Sequence, residues 1–471
     1  MPAPRTPGFV NGGVSFWYRE PGLPEPGPRL DGDVRADVVI VGAGYTGLWT
    51  AYHLKRADPA LRVVVLESEF AGFGASGRNG GWLSGELPGS PERYARTHGR
   101  EAAVAFQRAM FATVDEVLAT LDAEGIDADA VKGGQLGVAR NPAQAARLAR
   151  FVEESRAWGW GESDLRLLDP AEREGRLRVA GAVAAAWTPH CARVQPAKLA
   201  RGLAGAVRRL GVEVYERTPV TAIRPSRGRT AAAALTPYGT AWGDAVLRTT
   251  EGFTARLPGL RREWLPMNSS MIVTEPLPAE VWDEIGWAGR ELLGDAAHYY
   301  MYAQRTADDR IAFGGRGRPY LYGSRVDDRG RTAAWTVDAL WSLLTGMFPA
   351  VAAYRADHAW SGVLGVPRDW CATVGLDRAT GLGWAGGYTG NGVSTTNLAA
   401  RTLRDLVLGR DTELTALPWT GRRVRRWEPE PLRWLGVHSM YTLYRRADAQ
   451  EAAGSGRTSP LARLADLITG H

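Results

Sequence analysis

Gly42, Gly44 and Gly47 form a G-x-G-x-x-G pattern, a spacing that suits the gripping of a pyrophosphate by main chain. The first glycine makes a tight turn, the second lets backbone approach the phosphates, and the third lets helix and strand pack closely. Tyr45 and Thr46, inside the pattern, would open a helix whose N-terminal dipole favours the anion. Glu67 follows twenty residues after Gly47, where a carboxylate can accept hydrogen bonds from the ribose hydroxyls of an adenosine; Ser68 adjoins it. A second glycine-rich stretch, GFGASGRNGGW (72–82), carries Gly74, Ala75, Ser76, Arg78, Asn79, Gly80 and Gly81. Such a loop suits a further part of a long dinucleotide.

These residues need a scaffold that brings the turn, the acid and the loop together. ADVVIVG (36–42) is a β-branched run fit for a buried parallel strand, TGLWTAYHLKRA (46–57) has helical spacing, and RVVVLE (62–67) is a second strand. Strand, turn, helix and strand in this order make a βαβ unit. Helices are predicted over 92–124, 142–158, 196–211, 332–349 and 393–409. Strands are predicted at 133–139, 212–217, 220–225, 245–250, 268–274, 298–305, 310–317 and 381–387. The first 35 residues, rich in Pro and Gly, read as an extended arm. Helix and strand alternate at both ends while the middle is richer in strand pairs. One domain assembled from separated stretches, with a second inserted between them, is the expected organisation.

Composition narrows the class. The chain has 471 residues, 45% hydrophobic and 23% charged, which excludes a mostly disordered chain. Gly 57 without a G-X-Y period excludes collagen. Two cysteines, Cys191 and Cys371, cannot build a disulfide scaffold or a four-cysteine zinc site, and no metal is expected. No apolar run approaches a membrane span, and the start, MPAPRTPGFVNGG, has no charged n-region followed by an apolar h-region, so the expected compartment is the cytoplasm. Net charge is +6, nearly all of the positive charge being arginine. The densest run, Arg422, Arg423, Arg425 and Arg426, meets Glu428 and Glu430 at once and reads as a solvated segment; no nucleic-acid partner is expected.

The βαβ unit together with GASGRNGG resembles the D-amino-acid oxidase superfamily of FAD enzymes, in its glycine and sarcosine oxidase branch and among γ-glutamylputrescine-oxidase-like proteins. The glycine pattern alone does not separate NAD from FAD; the resemblance implies FAD. It also implies that the backbone near Val220 lies against adenine, that TTEGFT (249–254) turns near the pyrophosphate, and that AGGYTGNGV (385–393) is the C-terminal flavin motif. In that motif Gly387, Tyr388, Gly390, Asn391, Gly392 and Val393 are cofactor-binding candidates, because a helix N-terminus there stabilises the negative charge of reduced flavin.

The resemblance implies a Rossmann-like α/β FAD domain of discontinuous segments (1–98, 191–262, 359–430), an antiparallel-sheet substrate domain (99–190, 263–358) and a helical tail (431–471), α+β overall. Tyr300 is the substrate-side tyrosine candidate. Ile311 stands where the related oxidases have an oxygen-activating lysine, and Ser394 where they have a carboxylate-binding lysine. A carboxylate clamp would then come from Arg316, Arg318 or Arg78. The covalent attachment points fall on Leu364 and on about Asn79, so a dissociable FAD is expected. Gly294-Asp295-Ala296-Ala297-His298 spells a motif of aromatic-ring monooxygenases, but it runs into a strand pattern and reads as coincidence. The implied reaction is oxidation of a C–N bond of an amine or amino acid, with dioxygen as acceptor. Two other readings share the fold: a monooxygenase or dehydrogenase on a non-amine substrate, and a tRNA-modifying flavoprotein. Oligomeric state is not legible.

Overall fold

The computed structural model describes residues 2–315, 317–327 and 329–469. Arg316, one of the three catalytic candidates, lies outside them. Among the described residues the strands form two large sheets and a two-stranded pair of Trp82–Ser84 with Cys191–Arg193.

The first sheet holds the dinucleotide elements. Val34–Val41 is flanked by Val63–Leu66 and Gly239–Arg248, all parallel, and Glu213–Tyr215 continues beyond Val63–Leu66. Leu382–Gly386 joins parallel to the end of Gly239–Arg248, so the last flavin-motif strand lies in the same sheet as the first. Val38 to Val41 are all buried, as expected for a β-branched run covered on both faces. One face carries the helices Tyr45–Ala57, Pro91–Ala123, Pro196–Arg209 and Gly392–Leu408. Their Leu48, Leu54, Leu199, Leu203, Leu398 and Leu403 share one core with the sheet and are completely buried. Each such side chain contributes about 1.5–3 kcal/mol relative to exposure. The helix at 196 starts where its sequence says it should: Gln195 accepts from the Lys198 amide at 2.9 Å, Pro196 takes the first turn, and Gly211 (φ 81) follows the end.

The second sheet is nine-stranded and mostly antiparallel, in the order Arg5–Asn11, Ala356–Val366, Leu265–Thr274, Ile311–Gly315, Met301–Arg305, Leu292–Asp295, Gln135–Ala139, Ala184–Thr188, Arg166–Leu167. One face packs on the helix Ala334–Met347 through Ile272, Met301, Ala303, Ile311 and Phe313. The other face looks toward the dinucleotide domain. The N-terminal arm departs from expectation. Arg5–Asn11 is an edge strand parallel to Ala356–Val366, because a sheet edge supplies the backbone partners that an isolated arm lacks. The expected junction at 358/359 likewise falls inside Ala356–Val366. Gly294 and Asp295 end a strand of this second sheet, outside the dinucleotide cradle. No helix among the described residues is long and apolar enough to cross a membrane.

Candidate active site

The pyrophosphate end is built by steric exclusion. Gly42 has φ 106, and a Cβ there would lie 3.1 Å from the Thr249 carbonyl. A Cβ on Gly47 would fall 1.9 Å from the Gly42 carbonyl, so helix and turn approach as only glycine allows. The Thr249 hydroxyl donates to the Val41 and Gly42 carbonyls at 2.9 and 3.0 Å, pinning the turn to the next strand. Gly44 precedes the helix and no side chain caps it. The Tyr45 amide donates to Ser76 Oγ at 2.8 Å, which joins the second glycine loop to this helix start. Glu67 accepts from the Ala43 amide at 2.8 Å, the Glu69 amide at 3.0 Å and the Ser68 hydroxyl at 3.1 Å. Burial raises its carboxyl pKa, and those three donors oppose the rise. Val220 packs against the cluster of this sheet face that holds Val39, Val41, Val64 and Leu66.

The other end is 340 residues away in sequence and adjacent in space. The Thr46 and Tyr388 hydroxyls are 3.0 Å apart and buried. Gly386 and Gly387 both take positive φ as the strand Leu382–Gly386 leaves the sheet. The helix Gly392–Leu408 then begins at Asn391 with no side-chain cap. Val393 is buried beneath it, while Gly390 is exposed. A residue not singled out in the sequence holds this loop. Glu251, itself at φ 44, accepts from the Gly387 and Tyr388 amides at 3.0 Å each, and from the Gly365 amide. Burial pushes its carboxyl up to about 7 against those donors. Its only sequence signal is an acid inside a glycine turn.

Between the two domains stands a wall of aromatic side chains. Tyr302 packs edge-on to Trp82 at 6.3 Å, and its hydroxyl is 2.8 Å from Ser269 Oγ. Gly80 and Gly314 make room for its ring, since a Cβ on either would lie within 2.8 or 2.2 Å of it. Gln304, on the same face of the strand, donates to the Gly80 carbonyl at 2.6 Å. Asn79 accepts from the Gly81 amide at 2.8 Å and fixes the loop between them. Glu86, just past Trp82, completes this region with Gln135 and Asn391.

Several expected roles change here. Tyr300 lies before the strand Met301–Arg305, 38% exposed, with its hydroxyl 4.0 Å from the position of a Gly390 Cβ. Tyr302 is the tyrosine whose ring enters the interface. Ser394 is completely buried and its hydroxyl donates to the Ser84 carbonyl, so it braces the helix and does not face the site. Ile311 points into the layer under the sheet, on the face away from the cradle. Arg78 is buried with Nε donating to the Phe73 carbonyl at 2.9 Å and its guanidinium over the Phe73 ring. It therefore shapes the glycine loop; Arg318 is exposed. Gly74 and Ala75 begin the short turn Ala75–Gly77 of that loop. A separate cleft of about 490 Å³ is lined by Trp17, Glu20, Asp129, Lys198, Asp308 and Arg310 and contains none of the glycine-motif residues. Of its cations, Lys198 pairs with Glu20 and Asp129, Arg310 with Asp308 and Asp357 and Arg19 with Asp357, while Arg193 donates to the Asp129 and Arg305 carbonyls.

Known proteins share this arrangement. The family model described as FAD dependent oxidoreductase, DAO, matches residues 37–406, which span both halves of the cradle and the sheet inserted between them. The chain belongs to the DAO family. Gamma-glutamylputrescine oxidoreductase of Escherichia coli is 31% identical over 398 residues, covering 82% of this chain and 86% of that protein. Glycine oxidase of Bacillus licheniformis is 24% identical, covering 80% and 94%. Among solved structures, glycine oxidase from Geobacillus kaustophilus superposes with a TM-score of 0.66 at 22% identity over 83% of this chain and 99% of that one, a likeness of fold.

As a DAO-family oxidoreductase the chain uses FAD. Its residues fit that group. The uncapped helix starts at Gly44 and Asn391 offer backbone N–H groups to a diphosphate and to a flavin ring, and the glycines leave the approach open. Glu67 stands at the strand end for the ribose. Leu364 and Asn79 offer no covalent attachment point at the positions singled out in the sequence.

Proposed function

We propose that this chain oxidises the C–N bond of an amine or amino acid to an imine, which water hydrolyses to a carbonyl compound. The observation that carries this reading is the joined cradle, Thr46 to Tyr388 and Glu251 to Gly387, walled on its substrate side by Trp82 and Tyr302, with Tyr300 at the exposed rim beside Gly390. When bound, FAD supplies the hydride acceptor. The residues of the chain bind the substrate against the aromatic wall, exclude water and favour the neutral amine, since a desolvated site disfavours the ammonium. Gly42, Gly44, Gly47 and Glu67 would hold the adenosine diphosphate half, and the 387–393 loop the flavin ring.

The proposal carries dioxygen as acceptor and hydrogen peroxide as product. Lysine assistance at the site is not part of it: Lys55 is held by the Pro59 and Leu61 carbonyls, Lys132 by Asp115, and Lys198 by Glu20 and Asp129. We keep the discontinuous division proposed from the sequence, with Arg5–Asn11 and Ala356–Val366 assigned to the substrate sheet and the helix Pro91–Ala123, whose Phe106, Met110 and Val114 share the core of the dinucleotide sheet, assigned to the FAD domain. The two buried free cysteines suit a reducing compartment such as the cytoplasm.

The test is anaerobic mixing of the yellow holoprotein with a panel of amines, amino acids and 2-hydroxy acids. Loss of flavin colour with an amine, and peroxide formed in step with amine on readmitting air, is the expected result. Bleaching by 2-hydroxy acids or by NADPH alone would replace the amine reading.

A further inference from the structure

Glu86 is a carboxylate placed at the junction of both domains. It follows the strand Trp82–Ser84, and its own amide donates to Ser84 Oγ at 3.2 Å. Its Oε1 accepts from Gln135 Nε2 at 3.0 Å, from the substrate sheet. Its Oε2 lies 3.5 Å from Asn391 Nδ2, at the start of the flavin-motif helix. Among the described residues the groups acting on its charge are burial, which raises its pKa, and those two neutral amides, which lower it, with no cation among them. Glu86 is half-buried, and a carboxylate in that setting is stabilised by a group that brings a counter-charge.

The neighbouring atoms say what is missing. With Gln135 Nε2 given to Glu86, Gln135 Oε1 is buried and has no hydrogen-bond partner. A carboxylate and an orphaned amide carbonyl on adjacent side chains are both acceptors, and a group that satisfies them must bring several N–H donors and positive charge. Of the arginines that the sequence offered for an anion, Arg78 is committed to Phe73, Arg318 is exposed and Arg316 lies outside the described residues, and Ser394 turns away to Ser84. Charge at this place is negative.

We propose that Glu86 and Gln135 form the anchor for the substrate's alkylammonium group, and that the substrates are carboxylate-free amines in preference to α-amino acids. This rests on the amine-oxidation reading above and narrows its substrate class. An α-carboxylate held next to Glu86 would meet like charge, which disfavours it. In the closed pocket the ion pair can relax by transfer of one proton: an ammonium N–H bond breaks and an O–H bond forms on Glu86, leaving the neutral amine that oxidation requires.

Two probes of one shape and opposite charge test the anchor on the FAD-loaded full chain. tert-Butylammonium has no hydrogen on the carbon bearing nitrogen and cannot be oxidised; 2,2-dimethylpropanoate replaces its NH₃⁺ with a carboxylate. Binding is read by titration calorimetry and by the shift of the flavin spectrum. The wild type should bind the ammonium more tightly than the carboxylate by about tenfold or more. Glu86→Gln, with unchanged flavin content, should lose about tenfold of ammonium affinity and most of that preference. Gln135→Leu should weaken ammonium binding without removing flavin. Tighter binding of the carboxylate by the wild type, or equal ammonium affinity in Glu86→Gln, would overturn the anchor. Amine-driven bleaching alongside either of those outcomes would leave amine oxidation standing. Glu86-dependent ammonium binding with no amine able to bleach the flavin would instead support the anchor and remove the oxidation reading.

Discussion

Gly44 shows how little space the cofactor's approach leaves. A Cβ there would already lie 3.0 Å from Ser76 Oγ, the atom that accepts from the Tyr45 amide. A branched side chain would have to push into the phosphate path. Gly44→Val should therefore purify colourless with an unchanged far-ultraviolet circular dichroism spectrum; yellow protein would displace the diphosphate from this turn. Glu251 acts on pH dependence. Its carboxyl sits at about 7 in the fold, against about 4.3 for an unperturbed glutamate. Folding thus takes up a proton between those values. The stabilising share is complete below about pH 4.3 and is lost as pH rises through about 7. The melting temperature of Glu251→Gln should fall less than that of the wild type between about pH 5 and about pH 8. Asp295, whose burial also places it at about 7, keeps its own share in both proteins. Equal slopes would show that Glu251 is ionised in the native loop throughout that range.

At the scale of elements, the helix Leu432–Ala452 near the C-terminus is joined to the substrate sheet by charge. Glu451 is completely buried and accepts from Arg147 Nη2 at 2.7 and 2.8 Å, with His298 Nε2 3.0 Å away. Asp448 accepts from the His298 and Tyr299 amides at 2.9 and 2.8 Å. His298, Asp448 and Glu451 are close enough to hold a cation, and Arg147 already supplies one. Glu451→Ala removes the acceptor and leaves Arg147 and His298 facing a void. Loss of one partner from such a buried pair costs about 3–5 kcal/mol. Faster amide hydrogen exchange across 432–452 than in the wild type is the expected result; unchanged exchange would mean that apolar contacts such as Val437 and Tyr441 hold the helix alone. The same contact explains the Gly294–His298 motif. Its histidine docks a helix, and its strand belongs to the substrate sheet.

Across the whole molecule, the parts legible in the sequence are those whose demands are local. A β-branched run, a turn requiring positive φ at Gly42 and a helix opened by Pro196 each announce themselves within a few residues, because backbone sterics act over that range. Glu67 was legible from its place at the end of the second strand, and the resemblance extended the reading to the second cradle loop at 385–393. The Tyr302 ring against Trp82, the turn of Ile311 under the sheet, the inward turn of Ser394 and the placement of Glu86 and Glu251 were decided only by tertiary structure. In a strand, successive side chains alternate faces. One position therefore separates a ring in the cavity from a side chain under the sheet, and only the strand's actual register and partners say which face is which. Residues 86, 135 and 391 carry no common local pattern; they meet because the strand pair at Trp82–Ser84, the substrate sheet and the Gly392–Leu408 helix converge on one point. Chain composition dictated the cradle, and long-range packing chose the chemistry of the wall that faces it.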